Sequence, residues 1–445
     1  MKKIIIIVFM AFAAFSCNKP VKVATFSGNI DNAVNDSVYL TSNDYRKAFA
    51  LNDGAFSDTL KIDAPGYYKF FSDKEYTWVY LQPGDELSLS TNMHDFDNKL
   101  TYSGVRSEEN NFIAKKMNKE IHMTGDPFEF FSVDAQTFKQ NLENYRDEML
   151  AELENSKTSK EFKALEKKNL QFNYYSYLAK YPDAHNYFTK ANIELPKEFA
   201  AELDGIDTDN EEDFINIPEY NDYIMYLNTV ELSKVKTGDE IVAILDGIKS
   251  GKIRDGVIRN FLIYQIGSGA PYAQQLNEYI QNRSADEGLK KLAAANFEKI
   301  EKLIPGKPSP KFAYPDIDGN TVALDDLKGN LVYIDVWATW CVPCLQEIPS
   351  LKQLESDYED KDVHFVSMSI DQKRDFEKWQ NMVREKELQG IQIFADNDWK
   401  SQFVQDYNIN GIPRFILLDK EGNIINANAP RPSNPEIRTL LDENI

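Results

Sequence analysis

The chain has 445 residues, 42% apolar and 27% charged, with 71 acidic against 50 basic side chains and a formal net charge of -21. That acidic surplus leaves no basic stripe for phosphates, which argues against nucleic acid and against adsorption to anionic lipid by charge alone. Three cysteines, at 17, 341 and 344, are too few for a disulfide framework, and the length suits two to four domains.

The N-terminus reads "MKKIIIIVFMAFAAFSC". Lys2 and Lys3 precede an uncharged run from Ile4 to Phe15. These twelve residues fall short of the roughly 20 that a membrane-spanning helix needs, and fit a signal-peptide core. The run leads into Ala14-Phe15-Ser16-Cys17, which resembles a bacterial lipoprotein signal without the usual Leu. The resemblance implies a signal over residues 1–17, lipid on Cys17, and a chain anchored to a membrane of the cell envelope and facing the periplasm. An ordinary secretory signal cut near Ala14 or Ser16 is the other reading. Either way the chain is exported to an oxidising compartment. With Cys17 capped, Cys341 and Cys344 have only each other as partners.

Residues 22–104 contain short β-rich runs such as "KVATFSGNI", "DSVYLTS" and "YTWVYL". Asn52-Asp53-Gly54, Ala64-Pro65-Gly66 and Gln82-Pro83-Gly84-Asp85 punctuate them as turns, and the pattern predicts a β-sandwich. Tyr76, Trp78 and Tyr80 alternate onto one strand face. They are candidates for a client- or glycan-binding surface, or equally for the sandwich core.

From 105 to 303 helix signals dominate and predict a helical bundle. Phe138, Leu142, Tyr145, Met149 and Leu153 recur every three or four residues, which places them on one helical face. Phe172, Tyr175 and Leu178 form a second, aromatic stripe, read as core. No glycine-rich phosphate loop or other chemistry is visible there.

"PGKPSP" at 305–310 holds three prolines in six residues, and no regular helix continues through it. Residues 304–445 then alternate. Strand "NLVYIDVWAT" precedes a helix over 345–358, strand "DVHFVSMSID", a helix over 373–387 and strand "IQIF". A helix over 399–406, strands "RFILLD" and "NIINA" joined at Glu421-Gly422-Asn423, and a helix over 434–442 complete an α/β domain.

Within it, Trp340-Cys341-Val342-Pro343-Cys344 places two cysteines at i and i+3 where a helix begins. Unpaired N–H groups and the dipole there favour a thiolate. The first cysteine can then attack a disulfide and the second, one turn on, can resolve the mixed disulfide. Zinc also uses this spacing but needs two further ligands. The nearest histidine, His364, lies on a predicted strand, and His94, His122 and His185 are far away in sequence. No metal or other cofactor is expected.

"WATWCVPC", after an apolar strand and before a helix, resembles the active-site motif of the thioredoxin superfamily. "GIPRFILLD" at 411–419 resembles that fold's second signature. The resemblance implies a cis bond between Ile412 and Pro413, with that segment and Trp340 forming the substrate-binding surface. It implies that Asp335 is the buried aspartate that takes a proton from Cys344. In "CxxCxxExP", Glu347 matches the glutamate of membrane-anchored ResA and TlpA reductases, which acts in proton transfer and pKa tuning. The similarity covers residues 305 to 445. The front of the chain, through "YLQPGDELSLS" and "SGVRSEENNF", resembles the β-rich domain of Bacteroidota lipoproteins fused to a thioredoxin-like domain.

These resemblances imply a thiol–disulfide oxidoreductase of the envelope, a reductase because Val342-Pro343 lacks the histidine common in strong oxidants. Its partners would be disulfide-containing client proteins and a membrane electron donor of the DsbD or CcdA type. One alternative is a peroxiredoxin-like peroxidase. That family places Thr or Ser three residues before the reactive cysteine, where this chain has Ala338, with Thr339 one residue off. Another is a client- or glycan-binding module with an accessory redox domain.

Overall fold

The computed structural model describes residues 23–42, 45–235, 237–267, 270–395 and 397–445. The signal-like segment and Cys17 lie outside the described residues. The chain divides into two compact units, Met1–Ile224 and Met225–Ile445, and the helical stretch is shared between them.

In the first unit the short apolar runs form β1 (Val23–Asp31), β2 (Ser37–Ser42), β3 (Tyr45–Ala50), β4 (Ala55–Lys61), β5 (Gly66–Ser72), β6 (Glu75–Leu81), β7 (Glu86–Asn92) and β8 (Thr101–Gly104). They make two four-stranded sheets, β4-β1-β7-β8 and β3-β2-β5-β6. Phe26 and Leu89 of one sheet and Leu40, Phe70 and Val79 of the other meet in a single apolar core. The expected turn at Asn52-Asp53-Gly54 is present. Asp53 and Gly54 both have positive φ, 50° and 81°, and Asn52 and Ala55 exchange backbone hydrogen bonds. That is the two-residue turn whose twist matches its flanking strands.

Helices α1 (Ser107–Thr124), α2 (Ala135–Asn155) and α3 (Lys160–Thr189) follow. The buried face of α2 is the stripe Phe138, Leu142, Tyr145, Met149 and Leu153. Helix α3 departs from expectation. Phe172 and Tyr175 are only half-buried and pack edgewise or tilted on Tyr220 and Tyr223. Its buried residues include Glu166, Asn169 and Asn173 alongside Leu178. The aromatic face of β6 also needs correcting. Val79 and Leu81 enter the core between the sheets. Trp78 and Tyr80 point the other way, onto Phe112, Met149 and Phe162 of the helices. Tyr76, at the start of the strand, is exposed, so the core between the sheets accounts for none of the three aromatics.

The second unit opens with helices that include Gly238–Gly247, Ala273–Arg283 and Glu287–Ile300. A hairpin that sequence patterning did not show follows, β9 (Ala313–Pro315) with β10 (Thr321–Ala323). Then come β11 (Leu331–Trp337), α4 (Val342–Asp357), β12 (Val363–Ser369), α5 (Phe376–Glu385), β13 (Ile391–Phe394), β14 (Arg414–Leu418), β15 (Ile424–Asn426) and α6 (Glu436–Asp442). The helix expected over 399–406 is interrupted at Ser401, whose extended backbone (ψ 138°) separates a 3-10 turn from the short helix Gln402–Asp406. The sheet order is β13-β12-β11-β14-β15. Strands β11, β12 and β13 run parallel, and β14 and β15 are antiparallel. This is the expected thioredoxin-like fold. Leu331 and Tyr333 of β11 pack with Leu351 and Leu354 of α4 and Ile437 and Leu441 of α6. Strand alternation puts Asp335 on that same face, beneath α4.

Candidate active site

Strand β11 is the central strand, and every one of its residues is buried. A strand covered on both faces reads as a continuous apolar run, and Asp335 is the one carboxylate in it. At its end the chain turns through Ala338-Thr339-Trp340 into α4. That turn is clamped from the residues at and just beyond the end of β12. The carboxylate of Asp371 accepts from the Thr339 backbone N–H at 2.9 Å, from the Thr339 hydroxyl at 2.8 Å and from the Ser369 hydroxyl at 2.9 Å. Asp371 was missed in the sequence. Its only signal is an acid directly after an apolar strand, which is indistinguishable there from an exposed strand end.

Cys341 is the N-cap of α4, and its sulfur accepts from the Cys344 backbone N–H at 3.2 Å. Pro343 occupies the first helical turn, where a missing N–H leaves no bond unmade. Cys341 and Cys344 are joined by a disulfide, with their Cα atoms 5.3 Å apart. Both sulfurs belong to buried residues, whereas the neighbouring Trp340 and Val342 are 49% and 62% exposed. The Trp340 ring lies 6.2 Å from that of Trp399, giving an aromatic pair beside the cysteines.

The Ile412–Pro413 peptide is cis. Arg414 pairs with Val336 in register, so Pro413 lies at the end of β11 from which the cysteine turn departs. The two sequence signatures, about 70 residues apart, are therefore brought to one end of the sheet.

Asp335 is buried, and its Oδ1 has no hydrogen-bond partner among the described residues. Burial, then the nearby acids Glu355 and Glu347, push its carboxyl up to about 8. Asp335 and Cys344 line one small cavity under α4. Glu347 is directed elsewhere. Its carboxylate accepts from the Ser433 backbone N–H at 3.0 Å and the Ser433 hydroxyl at 2.9 Å, with the Arg431 guanidinium 3.9 Å away. Among the described residues no group of three or more His, Cys, Asp or Glu is placed to hold a metal ion, and no helix is long and apolar enough to cross a membrane.

Comparison with known proteins finds the Redoxin family over residues 304–441. The chain is similar to the thiol-disulfide oxidoreductase ResA of Bacillus cereus, 31% identical over 129 residues, which are 29% of this chain and 72% of the relative. It is also similar to the thioredoxin-like protein YneN of Bacillus subtilis, 29% identical over 137 residues, 31% of this chain and 78% of that one. Among solved structures, a candidate thiol-disulfide oxidoreductase from Bacteroides vulgatus is 41% identical and covers 32% of this chain and 99% of its own, with a TM-score of 0.30.

Proposed function

This chain belongs to the ResA-like family of thiol–disulfide oxidoreductases, and from that premise we propose that it works as a protein-disulfide reductase of the cell envelope. The observation that carries the reading is the Cys341–Cys344 pair at the start of α4, over a buried Asp335 whose Oδ1 has no hydrogen-bond partner among the described residues. Cys341, facing the helix N-terminus, is the attacking thiolate. It opens a client disulfide and forms a mixed disulfide. Cys344 gives its proton to Asp335, attacks the Cys341 sulfur and releases the reduced client. Glu347 tunes this step through its charge. Trp340, Ile412 and Pro413 form the surface on which an extended client segment lies.

The signal-like N-terminus supports export, with lipid on Cys17 as the anchor. The four-part reading of the chain leaves the β-rich segment 22–104 and the helical segment 105–303 to recognise or position clients. In an oxidising compartment the oxidised pair must be re-reduced, which a membrane donor of the DsbD or CcdA type would do.

The test is the reduction potential of the pair, set by equilibration in glutathione and dithiothreitol buffers and read as free thiols. A value near or below about -270 mV, that of thioredoxin, is expected. A value near about -120 mV, that of DsbA, overturns the reductase direction.

A further inference from the structure

A polar row crosses the sheet below the cysteine pair. Asp335 of β11 is the register partner of Ser367 of β12, which is the partner of Gln392 of β13. Register partners share a face, here the one under α4. All three are buried. With Cys344, Trp337 and Glu355 they line the cavity already described, which leaves about 10 Å³ for the centres of water molecules. That is the size of a single-water site.

Three polar atoms of the lining residues are buried without a hydrogen-bond partner among the described residues: Asp335 Oδ1, Trp337 Nε1 and Gln392 Oε1. Buried polar atoms are paired almost everywhere in proteins. One donor and two acceptors around a one-water space are what a single water satisfies.

Glu355, itself buried, lines this space and approaches exposed backbone. It sits on α4 eleven positions beyond Cys344. Its Oε1 lies against Gly390, where a Cβ would approach to 2.8 Å and φ is +62°. Gly390 and its neighbour Gln389 are exposed, and Gln389 lines the same cavity. A side chain at 390 would meet this carboxylate and, equally closely, the Phe365 carbonyl, so the glycine keeps the buried Glu355 carboxylate directly under exposed backbone.

We propose that Glu355 is the solvent-side member of a proton route from Cys344, through Asp335 and one water held by Asp335, Trp337 and Gln392, to the surface at Gly390. The inference rests on the exchange reading above. In the resolving step the Cys344 S–H proton passes to the Asp335 carboxylate. The Cys344 sulfur bonds to the Cys341 sulfur as the Cys341–client S–S bond breaks, and the client leaves as a thiolate that solvent protonates. Two electrons pass from the cysteine pair to the client disulfide. The proton on Asp335 then moves through the water to Glu355 and to bulk, returning Asp335 to its carboxylate form.

The surroundings hold both acids above the usual carboxylate range. Burial pushes Glu355 up to about 7, with Lys352 on the same helix opposing. The inner acid, Asp335, is pushed higher, to about 8. The groups facing the route are Glu347, Lys352 and Glu355 from α4, Tyr333 and Asp335 from β11, and the neutral Ser367 and Gln392 from β12 and β13. Glu355 is a positioning residue in this scheme, since it acts on Cys344 only through Asp335.

The test mixes the reduced full-length chain with dithionitrobenzoate in a stopped-flow instrument. Attack by Cys341 releases one coloured thiolate, and resolution by Cys344 releases the second. In Glu355→Gln the first phase is expected to stay as in the unsubstituted chain. The second is expected to slow roughly tenfold near neutral pH, less than loss of a direct acid–base catalyst would cause. It should then speed up with imidazole concentration, which the unsubstituted chain ignores, and Glu355→Asp should restore it. An unchanged second phase overturns the proposal, as does an equal slowing of both phases without a buffer response. If the unsubstituted chain releases no second thiolate, the exchange reading itself falls.

Discussion

Each unit buries a carboxylate deep in its interior, and the two are treated oppositely. In the first unit Glu166 accepts from the Tyr67 hydroxyl at 2.6 Å, the Asn169 amide at 2.9 Å and the Lys116 ammonium at 2.7 Å. Burial works against the Lys116 charge, but Glu166 and Glu219 outweigh it and hold the ammonium above its ordinary value. In the second unit Asp335 Oδ1 has no hydrogen-bond partner among the described residues, and the charges acting on it are the acids Glu355 and Glu347. Partners, not burial, set the difference. Glu166 is held by three donors, one of them cationic, whereas burial and nearby acids hold the Asp335 carboxyl well above the usual carboxylate range.

The largest effects separate the two sites. Cys341→Ser should reduce disulfide exchange to background, measured as insulin reduction by dithiothreitol. Cys344→Ser should still attack but hold its client as a mixed disulfide, visible on non-reducing gels. Neither should alter amide exchange around Glu166; if either does, the two sites are not independent. The reverse experiment is Lys116→Met, which leaves Glu166 buried and unpaired. Breaking such a pair costs about 3–5 kcal/mol. Hydrogen–deuterium exchange should rise in α1 and α3 while the potential of the cysteine pair stays constant. Adding Glu166→Leu to Lys116→Met should recover most of the loss, because an apolar pair removes the stranded charge.

The two sites also differed in how far the sequence revealed them. The redox site is built from local rules: an apolar run for a central strand, a C-x-x-C at a helix start, and an X-Pro segment before the next strand. Asp335 was legible only through the resemblance, which matches it to the family's buried aspartate six residues before Cys341. Gln392 and Glu355 were not, because their importance depends on register between three strands and on what α4 covers. The cluster around Glu166 was invisible for the same reason. Tyr67, Lys116 and Glu166 lie far apart in sequence, and a Lys and a Glu on amphipathic helices read as solvated. The core reading of the aromatic stripe holds for Leu178, with Tyr175 packed against the core's edge, but spacing could not show that the buried face also carries Glu166, Asn169 and Asn173.

A smaller effect turns on pH. Asp335 has a folded value of about 8 against about 3.9 for an unfolded aspartate. The folded state therefore holds more protons between those values, and stability falls as pH rises from about 4 to about 8. Asp335→Asn removes that dependence. Urea unfolding of the oxidised form should show the variant more stable than the unsubstituted chain by a few kcal/mol at pH 9, and nearly equal to it at pH 4. Glu166→Gln should show no such gain at pH 9, since it weakens an ion pair. Equal responses at the two carboxylates would remove the contrast between them.

The smallest effect tests whether Glu347 acts on Asp335 by charge. Glu347 accepts two hydrogen bonds from Ser433, so Glu347→Gln should cost about 1.5–3 kcal/mol, as hydrogen bonds to charged groups do. Ser433→Ala keeps the backbone donor and should cost less than about 1 kcal/mol. A merely structural glutamate would affect stability alone. Glu347 also raises Asp335 through its charge, so Glu347→Gln should shift the pH midpoint of the resolving step downward, whereas Ser433→Ala should leave it near its original place. A midpoint that moves equally in both variants would mean the hydrogen bonds alone matter, and Asp335 would then owe its raised value to burial and Glu355.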